Sequence, residues 1–307
     1  MFATIVSVNN PRVKSATQLR ESRIRRQRGL FLIDGLREAT RAWRCGFRFD
    51  SLFWDAGSSA VADQRPDVFQ TLSATGRDPA RIQEIVELTA QCEARGVHVI
   101  PLRTDAFTKI GFGDRNEGVI AVAHTQTTEL SQLETVLNER SKDSGQAPLL
   151  GVIEGVEKPG NVGAIIRSGD GAGIHALLIA TERFDVFNPN VIRASLGAIF
   201  HMPIVVDSSE NIVAWLRRYK VQRATALCDE ALQFHQLDYR RPTAIILGSE
   251  AYGLTDLWAQ ETSEDKQFDL LKKIRLPMLG IADSLNVSNA AAVLFYQARC
   301  ARDYHMK

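Results

Sequence analysis

The stretch LLGVIEGVEKPGNVGAIIRSGDGAGIHALLIA, residues 149–180, decides the fold class. It opens on an apolar run, 149–156, that stops at a Pro-Gly turn. A Gly-rich helix is expected over 161–173, and a second apolar run, HALLIA, occupies 175–180. Two largely apolar strands joined by a helix make a β-α-β unit, whose strands lie parallel and are covered on both faces. The alternation continues toward the C-terminus. A helix is expected over 189–200 after Asn188-Pro189, the strand PIVV over 203–206 and a helix near 209–219. The strands ATALCD (224–229), TAIILGS (243–249) and IRLP (274–277) follow. A last helix runs over about 286–302, with Ser284 or Asn286 at its N-cap.

Upstream the pattern is looser. FLIDG (31–35), FDSLFWD (49–55), VHVIPL (97–102) and GVIAVAH (118–124) read as strands. Residues 36–45 place Leu36, Ala39 and Trp43 on one helical face, and a helix over 80–95 starts from Asp78-Pro79. Residues 56–79 are rich in Ser, Ala, Asp, Gly and Pro and read as a surface insertion. The strand pattern is lost between 125 and 147, where a short helix and a polar linker fit. The expected organisation is an α/β chain in two parts: a smaller domain at 1–125, a linker at 126–147, and a parallel-sheet domain at 148–307.

Composition narrows the function classes. The 307 residues carry a formal charge of +1, with 45% hydrophobic and 24% charged residues, the range of ordinary globular chains. That excludes wholesale disorder, collagen-like repeats and coiled coils. No apolar run approaches the ~20 residues that span a bilayer. The start, MFATIVSVNNPRVKS, has its apolar patch before the first basic residue, the wrong order for a signal peptide. Cys45, Cys92, Cys228 and Cys300 form no CxxC pair, and the six histidines show no HExxH. The expectation is a reducing cytoplasm and no metal site.

Charge is balanced overall but not along the chain. Residues 1–48 hold eleven Lys/Arg against three acids, so the rest must sum to −7. The densest part is RESRIRRQR, 20–28. Arg23, Arg25, Arg26 and Arg28 are candidates for contact with a polyanion, because each phosphate contact releases condensed counterions. A solvated helix face explains the same run and stays open.

Three clusters fall at carboxyl ends of strands, where open parallel sheets bind ligands. EKPGNVGAIIRSGDGAG (157–173) sets Asn161 at a helix start and Arg167 six residues on. A Rossmann-type nucleotide turn is the competing reading, but the GxGxxG spacing is absent and no acid ends the next strand. IILGSEAYGL (245–254) runs a strand into a Gly-Ser-Glu loop, with Gly248 free of a Cβ and Glu250 projecting. IRLPMLGIADSLNVSNAAAVLFYQARCAR (274–302) interleaves Ser284, Asn286 and Ser288 with Leu285 and Val287. Capping explains one of those three polar residues, not all of them.

These clusters resemble, in order, the three signature motifs of the SpoU family of RNA ribose 2′-O-methyltransferases, in the SPOUT class. PGNVGAIIRSGDGAG matches the first, ILGSEAYGL the second and LPMLGIADSLNVSNAAA the third. FNPNVIRASLGAIFHMPIV (187–205) resembles the stretch between the first two. Residues 28–124 resemble, more loosely, the family's ribosomal-protein-like substrate-binding domain. Two departures are small: Glu157-Lys158 precede the Pro-Gly, and Gln297 stands where the last helix often has Glu.

The resemblance implies a deep trefoil knot in the C-terminal parallel-sheet domain, a homodimer, and S-adenosylmethionine as methyl donor. It implies that Gly248, Leu276 and Leu285 lie against this cofactor, with Ile274, Met278 and Gly280 as neighbours. It assigns catalysis chiefly to Arg167, with Asn161, Glu250, Ser284 and Asn286 orienting it and the ribose. An arginine is a poor base, so stabilisation of a developing alkoxide suits Arg167 better than proton abstraction. The two-domain layout favours large-subunit (23S) rRNA as substrate. A tRNA 2′-O-methyltransferase of the same family and a non-catalytic RNA-binding protein with this fold are the alternatives.

Overall fold

One local device starts three helices. Asn10-Pro11, Asp78-Pro79 and Asn188-Pro189 each pair a side-chain cap with a proline in the first turn. The cap oxygens accept from the backbone N–H two residues on, at 2.9 Å, 3.0 Å and 2.9 Å. Proline costs nothing there, since its missing N–H would have had no helical partner. The computed structural model describes residues 2–62, 66–112, 116–226, 232–250 and 252–302. Cys228 and the end of the expected strand 224–229 lie outside the described residues. The chain divides into two compact units, 1–126 with 185–200, and 127–184 with 201–307.

The first unit contains α1 (Pro11–Gln18), α2 (Ser22–Arg28), β1 (Leu30–Asp34), α3 (Leu36–Arg44), β2 (Phe49–Asp55), α4 (Val68–Ser73), α5 (Pro79–Ala94), β3 (His98–Leu102), α6 (Thr104–Ile110) and β4 (Val119–His124). Its four strands run in the order β1-β4-β2-β3. The β2–β3 pair is parallel and the other two pairs are antiparallel. Alternation along the strands sends Leu32, Phe53, Ile100, Ile120 and Val122 into one core with Val13 and Leu19 of the α1 region and Phe107 of α6. The segment read as an insertion holds α4, and Arg77 returns to the sheet, donating to Asp55 at 3.0 Å.

Residues 185–200 belong to this unit although they sit in the second half of the sequence. The reason is aromatic packing. Phe187 stacks on Phe31 at 4.1 Å between centroids, and Phe200 meets Phe47 edge-on at 5.0 Å. The helix expected over 189–200 is shorter, because Leu196 and Gly197 take φ of 54° and 82°. Only α9 (Pro189–Ala194) and a single 3-10 turn at Ala198–Phe200 remain.

The second unit holds α7 (Leu133–Ser144), β5 (Leu149–Glu154), α8 (Pro159–Ala172), β6 (Ala176–Ala180), β7 (Ile204–Asp207), α10 (Ser209–Arg218), β8 (Gln222–Ala226), β9 (Leu232–Gln233), β10 (Thr243–Leu247), α11 (Ser263–Phe268), β11 (Leu271–Arg275) and α12 (Val287–Ala301). Its seven strands are all parallel, in the order β7-β6-β5-β10-β8-β11-β9. Leu133 and Leu137 of α7 are buried in the core of this sheet, so the stretch read as a linker contributes packing. The strand expected at 274–277 starts three residues earlier and ends at Arg275, its first half hidden by Lys272 and Lys273. The strand order reverses between β5 and β10, the switch point at which ligand crevices form in such sheets. α12 packs along α8 over small residues. A Cβ at Gly151 would come within 2.8 Å of Phe295, and one at Gly171 within 2.9 Å of the Tyr296 hydroxyl.

Candidate active site

The exits of β5 and β10 adjoin at the switch point. Leu247 pairs with Ile153, and a Cβ on Gly155 would sit 3.4 Å from Ser249. Beyond β10 the chain doubles back sharply. Ser249 and Gly253 exchange backbone hydrogen bonds of 3.1 and 3.0 Å. The returning backbone lies so close that a Cβ on Gly248 would be 2.2 Å from the Gly253 carbonyl carbon. Only glycine fits there, which is a structural demand separate from any ligand.

This hairpin presents Glu250 to two helix starts. Its Oε1 accepts from Asn161 Nδ2 of α8 at 3.3 Å, from Asn286 Nδ2 at 2.5 Å and from the Val287 backbone N–H of α12 at 3.2 Å. Asn286 also donates to Asn161 Oδ1 at 3.4 Å. Its own Oδ1 caps α12, accepting from the Ser288 N–H at 3.0 Å and the Ser288 hydroxyl at 2.5 Å. A carboxylate at a helix N-terminus is favoured by the helix dipole. One residue from each of the three sequence clusters therefore meets in a single polar knot of side chains.

The other residues expected at the site divide. Arg167 lies six residues beyond Asn161 on α8, about 9 Å along the axis. It is exposed and has no hydrogen-bond or ion-pair partner among the described residues, so its guanidinium is free to meet an external anion. Ser284 is exposed and makes no hydrogen bond in the cluster, and Asn286, not Ser284, caps α12. Leu276 and Met278 are half-buried, Gly280 is exposed and Leu285 is 37% exposed, all on the loop between β11 and α12. Ile274 is fully buried in β11, between β8 and β9, so it presents no exposed surface to a ligand.

The basic arm forms α2, and its four arginines are not equivalent. Arg23, Arg26 and Arg28 are exposed. Arg28 donates to the Ser15 hydroxyl at 2.9 Å and to the Gln18 side chain at 2.5 Å. Arg25 is a correction to the expected set. It is 2% exposed, donates to the carbonyls of Leu19 and Arg20 at 2.7 Å each, and forms an ion pair with Asp185. Its charge is spent inside the first unit and does not face a polyanion.

Sequence reasoning missed Glu154, which ends β5. Burial pushes its pKa up, but donors from Ser209 (2.6 Å) and from the Thr255 N–H (2.7 Å) outweigh this and hold the carboxyl below the usual range. Thr255 directly follows the 248–254 hairpin, so Glu154 ties that loop to the sheet. The signal was an acid ending an otherwise apolar strand. Among the described residues no group of His, Cys, Asp and Glu is placed to hold a metal, and no helix is long and apolar enough to cross a membrane.

Two family models match the chain. Residues 148–296 match the SpoU rRNA Methylase family, and residues 10–121 match the MRM3-like substrate binding domain. A 23S rRNA (guanosine-2′-O-)-methyltransferase RlmB of Bordetella pertussis is 32% identical over 230 residues, 74% of this chain and 86% of that protein. The crystal structure of an RNA 2′-O ribose methyltransferase superposes with a TM-score of 0.72 at 26% identity, over 98% of this chain and 100% of that one. An AdoMet-bound rRNA methyltransferase from Sinorhizobium meliloti shares the fold at a TM-score of 0.77 and 22% identity, over 97% of each chain. With its three motif clusters joined through Glu250 and a relative of this identity and coverage, the chain belongs to the SpoU rRNA methylase family.

Proposed function

We propose that this chain transfers a methyl group from S-adenosylmethionine to a ribose 2′-hydroxyl of 23S rRNA. The observation that carries the reading is the Asn161–Glu250–Asn286 cluster, which joins the three motif segments at the switch point of the sheet. The local structure suits an adenosyl ligand. The tight hairpin at Gly248 and the exposed loop 276–286 offer backbone N–H and C=O groups beside Leu276, Met278, Gly280 and Leu285. When bound, the cofactor supplies an electrophilic methyl carbon.

The chain's own residues supply alignment and charge. Glu250 fixes the starts of α8 and α12, so that Asn161, Asn286 and Ser284 can orient a ribose. Arg167, exposed and unpaired, holds the neighbouring phosphate and stabilises negative charge developing on the 2′-oxygen. Arg23, Arg26 and Arg28 add a salt-dependent share of RNA affinity.

Dimerisation belongs to the same reading. Tyr252, Leu279 and Ile281 are at least 94% exposed, with Val293 and Tyr296 of α12 at 42% and 50%. Exposed apolar groups of this size on one unit favour coverage by a second copy. The trefoil knot in the 248–286 loops and a cytoplasmic location complete the proposal.

The test is transfer of labelled methyl to separated rRNA and tRNA fractions, with the label resistant to alkaline cleavage at the modified linkage. Label in 23S rRNA, lost in Arg167→Ala while S-adenosylhomocysteine still stabilises that variant, is the expected result. Label in tRNA redirects the substrate, and full activity in Arg167→Ala removes Arg167 from the mechanism.

A further inference from the structure

The last strand before the 276–286 loop carries a basic surface that the proposed chemistry does not use. β11 reads Leu271-Lys272-Lys273-Ile274-Arg275, with β8 on one side. On its other side the described residues of β9 pair with Ile274 and Arg275. Beside this edge lies a groove of about 670 Å³, lined by Lys272, Lys273 and Arg275 together with Leu232, Gln233, Gln236 and Leu271.

Three features make this groove an anion surface. Strand alternation puts Lys273 and Arg275 on one face, ~6.6–6.8 Å apart along the strand. Both are exposed, and among the described residues no Asp or Glu lines the groove. Among the described residues neither is neutralised by an acid. Lys272 spends its charge on Asp269, whereas Lys273 has no partner among the described residues. Arg275 faces the neutral amide of Gln233, which can accept from its Nε and Nη2 at 3.2 and 3.0 Å. That contact steadies the guanidinium without cancelling it.

We infer that this groove binds the sugar-phosphate backbone of the RNA substrate, as a second contact independent of the α2 arm. The inference rests on reading the chain as an RNA methyltransferase. Its position gives it a purpose: Arg275 is one residue from Leu276, so a strand of RNA lying in the groove runs beside the segment that leads to Ser284 and Asn286. Lysines on exposed strands also discourage edge-to-edge pairing, and the experiment separates the two roles.

Full-length wild type, Lys273→Glu/Arg275→Glu and the milder Lys273→Gln/Arg275→Gln are titrated with 23S rRNA by filter binding between 50 and 200 mM salt. S-adenosylhomocysteine affinity is measured alongside. Loss of two phosphate contacts lowers the slope of log K against log salt by about 1.4–1.8, the range spanning single-stranded to duplex nucleic acid. The expected result is that decrease in both variants, at least tenfold weaker RNA binding at the lower salt, and unchanged S-adenosylhomocysteine affinity. A folded variant with the wild-type slope overturns the inference. So does a Glu variant that aggregates while its Gln counterpart keeps the full slope, which assigns the residues to edge protection. Wild type that binds neither ligand fails the functional reading itself, a result distinct from a failure confined to the groove.

Discussion

Alanine at position 248 puts the close approach of the hairpin to a direct test. The added Cβ would sit 2.2 and 2.3 Å from the carbonyl carbon and oxygen of Gly253, and 2.5 Å from the Leu254 nitrogen. Ordinary contact begins at 3.4 Å, so the returning backbone must retreat by more than 1 Å. Backbone cannot swing aside as a side chain can, and overpacking of this kind costs about 1–3 kcal/mol. For a unit of this size each kcal/mol lowers Tm by about 2–4 °C. Thermal unfolding of Gly248→Ala is therefore expected ~2–12 °C below wild type. The retreat also drags Glu250 off Asn161 and Asn286, so the Tm gain on adding S-adenosylhomocysteine should shrink or vanish. Gly280→Ala is the control, because a Cβ there meets nothing within 4 Å, and its Tm in the absence of ligand should stay near wild type. A Gly248→Ala protein with wild-type Tm and the full ligand-induced gain would refute the reasoning.

Two further outcomes follow from buried charges. Arg25→Ala strands Asp185 and two carbonyls, so urea unfolding should report a loss of about 3–5 kcal/mol. Arg23→Ala and Arg26→Ala should stay within ~0.5 kcal/mol of wild type, and the opposite ranking would contradict the assignment. His175 is 4% exposed, and burial together with Arg302 and Arg140 pushes its pKa down to about 4. In the unfolded chain it titrates near ~6.5. The folded state thus binds its proton less readily, and stability, full above the unfolded value, falls as pH drops toward 4. Going from pH 7 to 5 should cost about 2 kcal/mol, and His175→Gln should flatten that limb of a stability–pH curve.

Several features were legible because they are local. Apolar runs of strand length announced β5, β6 and β10, and Asx-Pro pairs announced α5 and α9. The three motif clusters pointed to Asn161, Glu250 and Asn286, which the structure brings into mutual contact. The failures have one origin, a pattern read without its neighbours. Lys272 and Lys273 hid the start of β11, which is a strand because β8 pairs with it and not because its residues are apolar. The arm RESRIRRQR offers no local sign that Arg25 turns inward, since its partner Asp185 lies 160 residues away.

What the sequence determined by itself is the inventory: strands and helices in β-α-β order, glycines where the chain turns, and polar residues gathered at strand ends. These follow from periodicity and capping, which act over a few residues. What only the tertiary structure decided is which of those residues meet. Asn161 and Asn286 stand 89 and 36 residues from Glu250, and the order of the strands brings both to its carboxylate. The same holds for the return of residues 185–200 to the first unit, which depends on Phe187 and Phe200 finding Phe31 and Phe47. Burial of apolar surface is non-directional, so a sequence can say that such a side chain must be covered but not by what.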